Sequence, residues 1–134
     1  MTSAHSNTPA SRGQGQTIDL LGKIALIDGH WQPRVVAEMN DYQFKVVKLA
    51  GKFVWHSHAE TDETFIVLEG ELHIETRDGP IVVRAGQMAV VPKGAEHKPC
   101  AIGEVKLLLI EPRGVVNTGD GERSERSAEN DLWI

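Results

Sequence analysis

Apolar positions along the chain fall in short, strand-length runs, and long helical stripes are missing. The clearest run is "ELHIET" (71–76): Leu72, Ile74 and Thr76 take one side, Glu71, His73 and Glu75 the other. A strand sends alternate side chains to opposite faces, so this pattern predicts a half-buried strand. Similar runs are "QFKVVKLA" (43–50), "FVWHSH" (53–58), "ETFIVLEG" (63–70), "IVVR" (81–84), "MAVVP" (88–92) and "EVKLLLIEP" (104–112). Gly51, Gly70, the Asp-Gly of "RDGP" and Ala85-Gly86 separate them as turn signals. Strands broken about every 8–12 residues predict an all-β sandwich or barrel. "LLGKIALI" (20–27) reads as either helix or strand, with Gly22 weakening the helix. No internal repeat is visible.

The two ends differ from this pattern. "MTSAHSNTPASRGQGQ" is small and polar; it cannot bury enough surface to offset its ordering entropy, so residues 1–17 are expected to form a disordered arm. The barrel is expected over residues 18–116 and a polar tail over 117–134. The closing "LWI" is apolar and either docks on the body or a partner chain, or frays.

Composition narrows the function. At 134 residues the chain has the size of one domain, long enough for one core. Net charge is -5 with acids and bases interspersed, and nucleic-acid binding needs a clustered basic surface, so none is expected. No apolar run approaches the roughly 18 residues of a membrane span, and the N-terminus lacks the apolar stretch of a secretory signal. The single cysteine, Cys100, cannot form an internal disulfide, which fits a reducing cytoplasm.

The chemistry concentrates in "WHSHAETDETF" (55–65). On a strand, His56 and His58 project to one side and their ring nitrogens can converge on one ion. If "AETD" reverses the chain, Glu63 comes to lie beside them, and "GQMAVVPKGAEHKP" offers His97 as a third imidazole. Neutral imidazole is the commonest metal ligand. Three imidazoles and a carboxylate leave a divalent ion about one net positive charge, and they suit iron, manganese, nickel, copper, zinc or cobalt better than calcium or magnesium. An octahedral ion so held keeps about two positions for water, dioxygen or a chelating oxygen ligand.

This arrangement resembles the cupin superfamily. Its first motif, G-x5-H-x-H-x3,4-E-x6-G, is matched by "GKFVWHSHAETDETFIVLEG" (51–70), one residue short between Gly51 and His56. Its second, G-x5-P-x-G-x2-H-x3-N, is matched by "GQMAVVPKGAEHKPCA" (86–101) through His97, with Ala101 in the place of Asn. The flanks look like the small single-domain cupins labelled mannose-6-phosphate isomerase-like, a label of fold relation. The resemblance implies a double-stranded β-helix, or jelly roll, with a metal inside the barrel, and often a homodimer. It implies His56, His58, Glu63 and His97 as the ligands.

Other polar residues are assigned more plainly. Glu60 follows His58 by two and is the one candidate catalytic base, facing the pocket mouth, set against a solvated loop acid. Asp62 points elsewhere, Lys48 and His73 are surface residues, and His30 has no evident partner. Cys100 reads as a small buried residue, and Trp55, Phe53, Phe65 and Met88 as barrel or interface packing. "NTGD" (117–120) reads as a turn. Two functions stay open: a metal-dependent oxygenase, isomerase or lyase acting on a small polar or anionic oxygen-chelating molecule, and a non-catalytic module binding a metal or small ligand.

Overall fold

The computed structural model describes residues 8–119 and 128–134. Its elements in chain order are α1 (Leu20–Ile24), β1 (Arg34–Met39), β2 (Tyr42–Lys52), β3 (Glu63–Thr76), β4 (Gly79–Arg84), β5 (Met88–Val91) and β6 (His97–Pro112). All the strand pairings are antiparallel, in the order β1-β2-β6-β3-β4, with β5 on the first half of β3. One sheet therefore rolls on itself, with β2, β3 and β6 long enough to serve both layers.

The rolling is local chemistry. The runs 63–70 and 71–76 are a single strand, β3, which bends at Gly70 instead of ending there. Gly70 has φ 95°, and a Cβ on it would lie 2.6 Å from the carbonyl oxygen of Glu104. The pairing of β3 with β6 shifts register on either side of Glu69, and that of β2 with β6 shifts between Ala50 and Gly51. Such bulges bend and twist strands. β6 also begins earlier than its apolar run suggests, at His97, because residues 97–102 pair with the second half of β3.

Two apolar layers result. Val47, Leu49, Phe65, Val67, Leu107 and Leu109 fill the barrel. Val46 and Leu108, of opposite parity, are buried outside it, with Val36, under Ile24 and Ile27 of the α1 segment. The ambiguous run at 20–27 is thus a short helix, started by the Asp19 side chain accepting from the Gly22 amide, and packing decides in its favour. β1 was not foreseen: "RVVAEM" carries a register shift between Val35 and Ala37 that hides its alternation.

The ends bear on two expectations. Residues 1–7 of the expected disordered arm lie outside the described residues, but residues 8–17 are held against β1. Arg12 donates through Nε to Glu38 (2.7 Å), the Gln14 side chain donates to the Glu38 carbonyl (2.8 Å), and the Arg12 carbonyl accepts from the Glu38 amide. Hydrogen bonds and an ion pair do there what apolar burial could not. At the other end "LWI" docks on the body: Trp133 bridges Val35, the Leu132 carbonyl accepts from the Val35 amide (2.7 Å), and Ile134 joins the outer apolar layer.

Candidate metal centre

Inward parity puts Glu63 at the first position of β3 and His97 at the first of β6, and both are buried. The other two histidines arrive differently. "FVWHSH" is not a strand; within it only His56 makes a β-bridge, to His97, through two backbone hydrogen bonds of 3.0 and 2.9 Å. The segment nonetheless turns His56 and His58 inward, where they are 4% and 6% exposed.

One ligand atom from each of His56, His58, Glu63 and His97 lies within 4.8 Å of the other three. Donors held about 2.0–2.2 Å from one ion stand about 3–4.4 Å apart, so the cluster has the size of a coordination shell. Nδ1 of His56 lies 3.0 Å from the Val54 carbonyl and Nδ1 of His97 lies 2.9 Å from the Ala95 carbonyl. A carbonyl can only accept, so each Nδ1 carries a proton, and Nε2 is the nitrogen left to face an ion. Glu63 Oε1 lies 3.2 Å from Nε2 of both His58 and His97. Yet His58 Nε2 has no hydrogen-bond partner, because that approach has the wrong direction for one. A buried nitrogen without a hydrogen bond among converging donors is one that a bound cation would satisfy. The four residues fit a metal.

The electrostatics agree. Burial, helped by the charge of His97, pushes His56 down to about 4, so its imidazole is neutral near pH 7. Burial alone would raise Glu63, but the imidazoles of His58 and His97 beside it hold it well below the usual carboxylate range. Burial likewise opposes protonation of His58 and His97, and Glu63 outweighs it and lifts both. A carboxylate shared by two imidazoles in a dry site is strongly cation-attracting.

Two buried residues escaped notice in the sequence. Glu111 sits on the strand position next to Glu63, and Lys45 Nζ lies 2.9 Å from its Oε1. Burial, then repulsion by Glu63, pushes Glu111 up to about 8 against the pull of Lys45. The signal was parity: Glu111 shares the inward face with Leu107 and Leu109, and Lys45 with Val47 and Leu49. The turn at residues 117–119 also bears on the site. A Cβ on Gly119 would fall on the Ser57 carbonyl and 2.9 Å from His58 Nδ1, so the turn props the His58 ring.

The remaining candidates lie outside the cluster. Glu60 is exposed on the 59–62 turn. Asp62 accepts from the Lys93 amide (2.9 Å) and ties that turn to the "PKG" loop. His30, given no evident partner by the sequence, pairs with Glu104 at 2.8 Å, because β2 sets Ala50 opposite Glu104 and the Trp31 amide donates to the Lys48 carbonyl of the same strand. His73 pairs with Glu71 at 2.6 Å. Cys100 is buried and its thiol is raised by burial. Trp55 turns outward beneath the Arg77 guanidinium, 3.7 Å from the ring centre.

Beside the cluster lies a cleft with about 360 Å³ of empty space, part of it open to solvent, bordered by His56 and Glu63. Trp31 and Phe53 stack on its wall at 4.7 Å and 13°, and Phe53 meets the His56 ring edge to face at 5.2 Å. Trp31 was passed over in the turn-like "DGHWQP". Its φ of 62° is unusual for a bulky residue, and it is held by its amide on the Lys48 carbonyl and its indole NH on the Ala50 carbonyl, both 2.9 Å.

Comparison with known proteins leads to one family. The model described as a cupin domain matches residues 44–111. A cupin-2 domain protein of Shewanella frigidimarina superposes with a TM-score of 0.70 at 59% identity, over 72% of this chain and 94% of that one. A Neisseria meningitidis protein superposes at 0.66 and 37% identity, over 72% and 99%. The uncharacterised protein YdbB of Bacillus subtilis is 39% identical over 64 residues, 47% of this chain, and the chain spans 57% of that relative's length. No helix among the described residues is long and apolar enough to cross a membrane.

Proposed function

Since the chain belongs to the cupin-domain family and folds as a double-stranded β-helix, we propose that it holds a divalent transition metal on His56, His58, Glu63 and His97 and acts as a metal-dependent enzyme on a small oxygen-chelating molecule. The observation that carries this reading is the unpartnered, buried Nε2 of His58 among donors within 4.8 Å of one another. Bound there, the ion would polarise a chelating oxygen ligand or take dioxygen beside it, the chemistry of an oxygenase, isomerase or lyase. The chain's own part is to aim three imidazoles at one point, hold Glu63 ionised, and border the cleft where a reactant would sit. Glu60, exposed near the site, is the proposed base, and Glu111, buried against Glu63, is the second carboxylate to test.

The second reading, a binding module without turnover, shares the same donors and differs only in rate. The proposed partner is a small molecule in either case, and neither nucleic acid nor a lipid bilayer. The lone buried thiol of Cys100 suits the cytoplasm, and a homodimer would cover the exposed Met88 and Val90 of β5. The test is elemental analysis of untagged protein, then a screen of the metal-loaded protein against small oxo- and hydroxy-acids and sugars with oxygen uptake followed. Turnover abolished by His58→Ala supports the enzyme. Stoichiometric binding without turnover supports the module, and a metal-free protein that takes up no added divalent ion refutes both.

A further inference from the structure

The four donors are shut in. His56, His58, Glu63 and His97 are between 1% and 6% exposed, and the cavity beside His56 and Glu63 is about 30 Å³. That is room for a water or two, whereas a benzene ring needs about 150 Å³. An oxygen-chelating molecule reaches the ion only if part of the wall moves. We propose that the turn at 115–119 is that part: a lid that swings about Gly114 and is latched shut by residues 128–131. This deepens the proposed metal function and rests on it.

The turn stands over the site. β6 ends at Pro112, and the Arg113 amide donates to the Asp41 carbonyl (2.8 Å). The chain then leaves the barrel wall, beyond the residues 44–111 that match the cupin domain. Asn117 borders both the small cavity beside the donors and the adjoining one around Lys45 and Glu111. Thr118 is buried, and Gly119 lies against the Ser57 carbonyl and the His58 ring. Withdrawing the turn removes the wall that Asn117 supplies to both cavities, on the His58 side of the cluster.

It is also lightly held. Among the described residues, none of 113–119 belongs to either apolar cluster. Polar ties fix the turn instead: the Val115 carbonyl accepts from Lys45 Nζ (3.1 Å), and Asn117 Oδ1 accepts from the Ala128 amide (3.0 Å). The latch is polar too. Asn130 Oδ1 accepts from Lys45 (3.4 Å), and Asp131 Oδ1 accepts from the Gln43 side-chain amide (2.6 Å). Segments with few apolar contacts open at a fraction of the global stability. β6, from which the turn hangs, is fixed between β2 and β3. Gly114 suits a hinge: its φ of 92° costs glycine little, and a Cβ there would meet nothing within 4 Å, so packing does not restrict it. Residues 132–134 can stay docked on Val35 while the turn moves. Closing again over a reactant would shut bulk water out.

Two measurements on the full chain test this. Hydrogen exchange needs no metal: the Ala128 amide, whose bond to Asn117 breaks when the lid opens, is expected to exchange at least about tenfold faster than the buried Leu107 amide of β6. The second loads the chain with Co(II), whose visible absorption reports coordination of pyruvate independently of turnover, and follows the rate of pyruvate binding by stopped flow. Asp131→Gly drops one latch contact at a residue with φ 60°, where glycine is at ease. It should speed pyruvate binding about fivefold to tenfold, with cobalt stoichiometry unchanged. Asn130→Ala makes the same measurement if the first variant does not fold. An Ala128 amide as slow as that of Leu107, equal binding rates in wild type and variant, or cobalt-loaded protein with no spectral response to pyruvate overturns this inference alone. Failure to take up cobalt overturns the metal reading and this inference with it.

Discussion

His58 shows how much one side chain depends on its support. Its ring is held between Glu63 and the Gly119 turn, and that turn has no room for a methyl group. Gly119→Ala is therefore expected to displace the imidazole and weaken metal binding by about 10–100-fold, the usual effect of losing a supporting contact. Competition with a chromogenic chelator would read it. Glu38 is a second test at this scale and lies apart from the metal cluster. The Arg113 guanidinium, with Gln43 and Arg12, draws it down to about 2. A carboxylate depressed in the folded state stabilises fully above its ordinary value near 4.5, and that contribution is lost as pH falls toward 2. Glu38→Gln should thus lower stability at neutral pH by on the order of 1–2 kcal/mol, the partly exposed guanidiniums being screened by water. It should also flatten the acid limb of a melting-temperature profile between those two values.

The elements show why both faces of one strand can be buried. β2 and β6 send Val47, Leu49, Leu107 and Leu109 into the barrel, and Val46 and Leu108 toward α1. The α1 segment is short, so its stability comes from Ile24 and Ile27 beneath it and not from helix propensity. Ile24→Ala, at a fully buried position, is expected to cost about 2–5 kcal/mol. Chemical denaturation would measure that, and metal stoichiometry should be unchanged, because the outer layer does not touch the four donors.

In the whole molecule, the candidate metal centre joins elements far apart in sequence. Residues 56 and 58 come from an irregular segment, 63 from β3 and 97 from β6, so an ion that binds all four stabilises only the rolled-up sheet. Removing the ion with a chelator is expected to lower the melting temperature by several degrees, and adding it back should restore it. Acid should do the same, since protons compete with the ion for imidazole and affinity falls as pH drops. An identical melting curve with and without chelator at neutral pH would contradict an occupied site.

Much of this was legible in the order of residues. Period-two alternation in "ELHIET" and the short apolar runs "ETFIVLEG" and "LLLIEP" set the class of fold, and the spacing of His56, His58, Glu63 and His97 marked the cluster. Parity also pointed Lys45 and Glu111 inward, though nothing local said they would meet. The tertiary structure alone decided the rest. The bend of β3 at Gly70, the return of Glu104 to His30, the docking of "LWI" on β1 and the placing of Trp31 beside His56 are contacts between distant segments. Their energies come from shapes that exist only once the sheet has closed, so no local pattern could carry them.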